Sequence, residues 1–361
     1  MSFKMPVYLE PDLDQAEFKN APDIKTALAQ KDGVPPKGFH LSTVYPEYYK
    51  LNGKWLLPIN IPYTCPVIKG DKIIFKEPDL IQKNDECVLE ESILTNALYI
   101  HKDAFENQAA KYKLLHYEQS ESEKYDDLAK LMRLIKSQGA KITWVMGPAV
   151  VFNYDTREAL QELIQMGYVN ALLAGNALAT HDLEGGYLKT ALGQDIYTQI
   201  SQPNGHYNHL DTINEARRLG SIKEFINSGE IEDGIIKECV NKGIPIVLAG
   251  SIRDDGPLPS VYSNIDEGLE NMESQLKDSA LVINLATMLH SVSAASMTPT
   301  FRKFEEDIYP VYVYTVDITE YAVGTVSKVR ADLFTEHFIT NVQDFVFNLT
   351  KLLKDTTKEA K

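Results

Sequence analysis

The fold of this chain is decided by the stretch Ala171-Leu172-Leu173-Ala174-Gly175-Asn176-Ala177-Leu178-Ala179. Its first half belongs to an apolar run over residues 169–174, which predicts a buried strand, and Gly175-Asn176 separates this run from a helical pattern. Apolar strands that alternate with amphipathic helices are typical of a parallel sheet covered by helices on both faces. The stretch therefore predicts an α/β fold.

The same alternation of strand, small residues and helix continues on both sides of this stretch. We predict further strands over residues 142–146, 244–249, 281–286 and 309–316. The chain before residue 120 is different, because prolines and aromatic residues are dense there and the apolar runs are short. We therefore expect a small β-rich N-terminal domain over residues 1–120 and a parallel-sheet α/β domain over residues 121–361.

Composition narrows the class of protein. Hydrophobic residues make up 44% of the chain, which is enough for a packed core, and the net charge is −15. The absence of any Lys/Arg-rich block argues against nucleic-acid and acidic-membrane partners. No apolar run is long enough to span a bilayer, and the N-terminus lacks the apolar segment of a secretion signal. The three cysteines have no metal-binding or disulfide spacing, which favours a cytoplasmic protein without a metal site.

Small and polar residues follow four of the predicted strands. In an open α/β sheet, ligands bind beyond the carboxyl ends of the strands, where small residues allow close approach and helix starts offer N–H groups to phosphates. The pattern indicates a nucleotide crevice, although glycines also simply mark strand–helix turns. GxGxxG and GxxxxGK[ST] are both absent, which disfavours a standard Rossmann or P-loop protein. The segments are Gly147-Pro148-Ala149, Gly175-Asn176-Ala177, Gly250-Ser251-Ile252-Arg253-Asp254-Asp255-Gly256 and Ala286-Thr287-Met288-Leu289-His290.

Histidines and acids cluster in two neighbouring segments, Thr180-His181-Asp182-Leu183-Glu184 and residues 204–211, which include His206 and His209. A histidine beside carboxylates is suited to general-base catalysis. Metal ligation and purely structural helix caps are the alternatives, and the spacing matches no zinc signature. The adjacent acids Asp254 and Asp255 could hold ribose hydroxyls or a substrate ammonium, or could form an ordinary Asp-Gly-Pro turn.

Read together, these segments resemble the archaeal-type ornithine cyclodeaminase family. The family is also known as the conserved domain of the lysine-oxoglutarate reductase/saccharopine dehydrogenase group, and it forms the C-terminal part of the cyanobacterial arginine dihydrolase. The resemblance covers about residues 140–350 and also includes Gly205-His206-Tyr207-Asn208-His209-Leu210, Met297-Thr298-Pro299 and Thr340-Asn341-Val342-Gln343-Asp344-Phe345. It implies an NAD-binding sheet domain similar to that of deoxyhypusine synthase, in a homo-oligomer with sites near subunit contacts. The implied cofactor contacts are Asn176, Ala177, Asp255, Thr287, Met288, Leu289 and His290.

The resemblance implies a redox-neutral conversion of L-ornithine to L-proline and ammonia with catalytic NAD, as part of proline biosynthesis. Because no guanidine-hydrolysing domain precedes this chain, the expected substrate is ornithine rather than arginine. We expect Asp254 or Asp182 to act as the base, with His181 or His209 as a proton relay. The alternatives are an NAD(P)-dependent dehydrogenase or deaminase acting on lysine or saccharopine, and a non-enzymatic sensor of NAD or an amino acid.

Overall fold

The structure is a computed structural model that describes residues 3–106, 120–251 and 256–355. The helices in these ranges are α1 (Ala16–Lys19), α2 (Glu91–Leu94), α3 (Glu121–Ser137), α4 (Tyr154–Gln165), α5 (Asn176–Leu188), α6 (Asn208–Leu219), α7 (Ile222–Asn227), α8 (Ile235–Lys242), α9 (Ile265–Leu276), α10 (Met288–Met297), α11 (Glu320–Val329) and α12 (Val342–Asp355). The strands are β1 (Thr26–Leu28), β2 (Glu47–Leu51), β3 (Lys54–Leu56), β4 (Cys65–Lys69), β5 (Lys72–Lys76), β6 (Glu86–Val88), β7 (Leu98–Ile100), β8 (Lys141–Met146), β9 (Ala171–Gly175), β10 (Thr190–Ala191), β11 (Gln194–Asp195), β12 (Ile246–Ala249), β13 (Ser279–Leu285), β14 (Phe301–Phe304), β15 (Asp307–Pro310), β16 (Tyr312–Asp317) and β17 (Thr335–Ile339). Short 3₁₀ turns cover Pro78–Leu80, Pro148–Val151 and Gly205–Tyr207.

The main sheet has six parallel strands in the order β12-β9-β8-β13-β16-β17. Counted along the domain, this is the order 3-2-1-4-5-6 of the Rossmann fold. The expectation that the missing GxGxxG disfavours a Rossmann protein is therefore wrong. Apolar strands and helical crossovers determine the strand order, whereas the glycine fingerprint belongs to one way of holding a phosphate.

The core lies on both faces of the central strand β13, whose residues are all buried. Leu281, Ile283 and Leu285 belong to the large apolar cluster that includes residues of α3, α4 and α12. Val282 points to the opposite face and packs with residues of α9, α10 and α11. Both faces of the sheet are covered, as the near-continuous apolar strands predict.

Residues 3–106 contain β1 to β7. These strands make a four-stranded antiparallel sheet in the order β1-β6-β4-β5 and a three-stranded sheet in the order β3-β2-β7. The segment is joined to the Rossmann part by hydrogen bonds, including Thr300 Oγ1 to the Val44 carbonyl at 2.6 Å and Tyr63 Oη to the Val329 carbonyl at 2.5 Å. Placing the domain boundary at residue 120 remains a prediction.

The C-terminal part of the sheet differs from the prediction in two ways. The strand predicted over residues 309–316 is divided, because β15 pairs with β14 in a hairpin and only β16 joins the main sheet. The sixth strand, β17, was not predicted, since Glu336 and His337 interrupt its apolar pattern. In residues 3–106, 120–251 and 256–355, no helix is both long and apolar enough to cross a membrane.

Candidate functional site

A cavity of about 1070 Å³ lies beyond the carboxyl ends of β12, β9, β8 and β13. Its walls contain residues from all four strand-following segments singled out in the sequence. The cavity spans the boundary between β8 and β13, where the strand order reverses, and this is where ligands of open α/β sheets bind. The lining residues from these segments are Gly147, Pro148, Gly175, Asn176, Ala177, Gly250, Ser251, Thr287, Met288, Leu289 and His290.

Gly147 allows the two strands at this boundary to approach closely. Its N–H donates to the Leu285 carbonyl at 2.8 Å, and a Cβ at this position would lie 2.0 Å from the Ala286 carbonyl oxygen. Any side chain here would force the ends of β8 and β13 apart. The glycine therefore keeps the two strand ends close together, so that backbone atoms form a narrow cavity floor.

Two helices begin at the cavity wall without side-chain caps. Helix α5 follows its N-cap Gly175, which has no side chain. Helix α10 follows its N-cap Thr287, whose side chain makes no hydrogen bond to the first turn of the helix. The first N–H groups of a helix have no partner within the helix, and they carry the positive end of its dipole. Both helix starts are thus suited to the oxygens of a diphosphate.

Most of the remaining wall is apolar. Beyond Leu178 and Val261, side chains of α9 contribute Ile265, Leu269 and Met272. Flat aromatic groups such as adenine or nicotinamide bury well against such surfaces, while a few polar groups fix their orientation. The shape and chemistry of the cavity fit a dinucleotide.

The side chain of Asn176 shapes the wall by bonding to the neighbouring loop. Its Oδ1 accepts from Leu258 N at 2.9 Å, and its Nδ2 donates to the Gly256 carbonyl at 3.4 Å. Asn176 is buried. The amide thus ties the segment after β12 to the end of β9, and the residue can contact a ligand mainly through its backbone N–H.

His290 lies on the opposite side of the boundary. Its Cε1 would be 3.1 Å from a Cβ at Gly175, and its Nδ1 is 3.4 Å from Thr287 Oγ1. Burial lowers the pKa of His290, so that the imidazole is neutral near pH 7. A neutral imidazole can accept as well as donate a hydrogen bond to a ligand in the cavity.

The predicted residues Asp254 and Asp255 lie outside the described residues, as do Ile252 and Arg253. The residues that flank them, Ser251 and Pro257, both line the cavity.

Asp182 holds a buried ion pair. Its Oδ1 accepts from Arg157 Nε at 3.0 Å and its Oδ2 from Ile236 N at 2.8 Å, and both Asp182 and Arg157 are buried. Arg157 also pairs with Asp233 at 2.9 Å. Since both carboxylate oxygens are occupied and the residue is not part of the cavity wall, this arrangement does not support the predicted role of Asp182 as the base. Asp182 instead anchors the start of α8.

The structure brings His181 and His209 together. Their ring centroids are 6.0 Å apart, and His181 Nδ1 lies 2.8 Å from Glu184 Oε2. The sequence pattern His181-x-x-Glu184 was weighed only as a possible metal site, although this spacing also places the two side chains on one helix face, where they can pair with each other. Arg157 was missed entirely, because a single arginine in an amphipathic helix carries no signal.

Metal ligation gains no support from the geometry. Among residues 3–106, 120–251 and 256–355, no three or more His, Cys, Asp or Glu side chains converge as metal ligands would. The three cysteines are buried and unpaired as disulfides.

The sequence of this chain is similar to those of known proteins. Residues 126–336 match the family described as arginine dihydrolase ArgZ-like, C-terminal, Rossmann fold, and this match covers more than half of the 361 residues. The chain belongs to this family. A protein of Methanopyrus kandleri named ornithine cyclodeaminase is 33% identical over 317 residues, which are 85% of this chain and 76% of the relative. The resemblance drawn from the sequence motifs is confirmed.

Solved structures are similar to this chain over more than nine tenths of its length. A conserved LOR/SDH protein of Methanococcus maripaludis S2 superposes with a TM-score of 0.81 at 29% identity, over 93% of this chain and 99% of that protein. The ternary complex of AgrE with ornithine and NAD⁺ is 30% identical over 94% of this chain, with a TM-score of 0.59. This chain covers 47% of the AgrE chain.

Proposed function

We propose that this chain is an NAD-dependent ornithine cyclodeaminase that converts L-ornithine to L-proline and ammonia. Its ArgZ-like family membership, the relative named ornithine cyclodeaminase and the AgrE complex with ornithine and NAD⁺ support this proposal. The homo-oligomer expected from the family remains a prediction, which sedimentation of the purified protein would test.

The observation that carries the proposal is the cavity at the strand-order reversal. Two uncapped helix starts are suited to the diphosphate, and the apolar wall is suited to the two flat rings. When bound, NAD⁺ would supply a hydride acceptor next to the substrate carbon. The chain's own residues must bind the amino acid beside it, exclude water and move protons.

Proton transfer needs a base near the substrate α-ammonium group. Asp254 is our candidate, since it follows β12 between the cavity-lining residues Ser251 and Pro257. His181 and His209 are the candidate relays, because their rings neighbour each other on α5 and α6. Helix α6 also reaches the end of this loop through Arg217 Nε, which donates to the Pro257 carbonyl at 3.1 Å.

The proposal is tested by incubating the protein with L-ornithine and far less NAD⁺ than substrate, and by measuring proline and ammonia together. We expect equal amounts of both products, many turnovers per NAD⁺ and no accumulation of NADH. NADH rising in step with the consumption of ornithine or lysine would instead identify a net dehydrogenase. Stabilisation by NAD⁺ without any turnover would identify a sensor, since a ligand that binds only the native state raises the melting temperature.

A further inference from the structure

The side chain of Glu184 is fully buried and held at both oxygens. Its Oε2 lies 2.8 Å from His181 Nδ1, while its Oε1 accepts from Thr190 Oγ1 at 2.7 Å and from Gly193 N at 3.1 Å. The Thr190 hydroxyl in turn accepts from Asn208 Nδ2 at 2.8 Å, so its proton is directed at Glu184. A buried carboxylate is stable only with such donors, and here they fix its position.

This environment determines the tautomer of His181. Ionised Glu184 has no proton to donate, so His181 Nδ1 must carry the proton and donate it. In the neutral imidazole, Nε2 then keeps a lone pair. It has no hydrogen-bond partner among the described residues, and the side chain is 11% exposed. The ring is held between Phe152, with centroids 5.7 Å apart, and His209.

The elements that carry this pair also build the cofactor cavity. His181 lies one turn after Leu178 on α5, and Leu178 and the start of α5 line the cavity. Phe152 follows the 3₁₀ turn Pro148–Val151, which begins at the same wall. His181 therefore lies one helical turn beyond the cavity-lining part of α5, beside the 3₁₀ turn that begins at the same wall.

We propose that Glu184 is a positioning residue that holds His181 with Nε2 oriented to accept, as a relay, the proton that the base removes from the substrate. This inference rests on the proposed function. In the step, Nε2 receives the proton that the base removes from the α-ammonium group of the amino acid, and the resulting imidazolium still donates Nδ1–H to Glu184. The proton is later returned to the same nitrogen, which leaves as ammonia. No proton or electron is gained or lost over the cycle by His181 or Glu184.

Glu184→Gln keeps the size of the side chain and reverses the direction of its hydrogen bond with His181 Nδ1. Thr190 and Gly193 both donate toward Oε1, so the glutamine carbonyl should stay there and its NH₂ group should face His181 Nδ1. Nδ1 would then have to accept, and the proton would move to Nε2, which could no longer act as a relay. We expect kcat to fall by at least about 100-fold, the usual contribution of general-base catalysis, with NAD⁺ affinity unchanged.

The tautomer can be read without turnover by ¹⁵N NMR of histidine-labelled protein, with His181 assigned from the spectrum of His181→Asn. Wild type should show a protonated Nδ1, and Glu184→Gln should show a protonated Nε2. Glu215→Gln on α6, a partly buried glutamate that pairs with Arg218, is the matched control and should change neither readout. If wild type makes no proline, the proposed function fails, whereas this NMR result still decides the geometry.

Two results would overturn the positioning role. One is a wild-type His181 protonated at Nε2, and the other is an inverted tautomer in Glu184→Gln with kcat within a few-fold of wild type. Should Glu184→Gln fail to fold, His181→Asn provides the test, because it keeps a donor for Glu184 and removes Nε2. It should lose kcat as strongly, and retention of kcat by a folded His181→Asn would equally refute the proposal.

Discussion

Gly147 is the residue at which the two halves of the Rossmann sheet meet. Because a Cβ would lie 2.0 Å from the Ala286 carbonyl oxygen, Gly147→Ala should move the ends of β8 and β13 apart. We expect a loss of about 1–3 kcal/mol of stability, as for other overpacked sites, and clearly weaker NAD⁺ binding. Urea denaturation and titration calorimetry measure the two effects.

The control for this substitution is Gly324→Ala in α11, where a Cβ would meet no atom within 4 Å. It should leave NAD⁺ binding unchanged and slightly stabilise the protein, since alanine is the better helix former. Equal NAD⁺ affinity in Gly147→Ala and Gly324→Ala would show that the cavity floor does not contact the cofactor.

Two aspartates that look equivalent in the sequence should behave differently. Asp182→Asn would place an NH₂ group against Arg157 Nε or Ile236 N, and breaking this buried pair should cost about 3–5 kcal/mol. Asp254→Asn should instead lower kcat by about 100-fold or more through loss of the base. Denaturation curves and steady-state kinetics on both variants separate structure from catalysis. Turnover by Asp254→Asn within a few-fold of wild type would remove Asp254 as the base.

At the scale of the element, β17 places an ionisable side chain in a largely buried setting. Burial raises the pKa of Glu336 from 4.5 to about 8, with smaller effects from Lys124 and Asp127. The folded chain therefore keeps this proton between pH 4.5 and about 8, whereas the unfolded chain releases it. It follows that Glu336 lowers stability progressively as the pH rises through this window.

Glu336→Gln removes this titration while keeping a neutral side chain of the same size. The variant should match wild type below pH 4.5 and, since each pKa unit is worth about 1.4 kcal/mol, be more stable by up to about 5 kcal/mol above pH 8. Thermal unfolding across this pH range measures the difference, and the exposed Glu306→Gln provides the control. A stability difference that does not grow with pH would show that Glu336 is ionised in the folded protein.

The strands show which elements a sequence reveals. Apolar runs such as β8, β9, β12 and β13 are evident because they are buried on both faces. The edge strand β17 is not, since its pattern includes Glu336 and His337. The division at Val311 does have a local signal, Pro310, which cannot donate to a sheet ladder but was included in the single apolar run predicted over residues 309–316.

At the scale of the whole molecule, the sequence predicted which segments meet at the cavity better than it predicted the contacts of individual acids. Convergence of the strand-following segments follows from parallel topology alone. The role of Asp182 depends on Arg157, which comes from another helix, and no local pattern shows that pairing. A standard Rossmann fold was wrongly disfavoured because the fingerprint was treated as part of the fold rather than as one solution for phosphate binding.

The central claim is that this cavity supports the removal and return of a hydride at the same carbon of one substrate. The most direct measurement is the conversion of L-ornithine deuterated at carbon 2 with catalytic NAD⁺, followed by mass spectrometry and NMR of the product. We predict proline that retains deuterium at carbon 2, with formation strictly dependent on NAD⁺. Proline that has lost this deuterium to solvent, or that forms equally well without NAD⁺, would contradict the account.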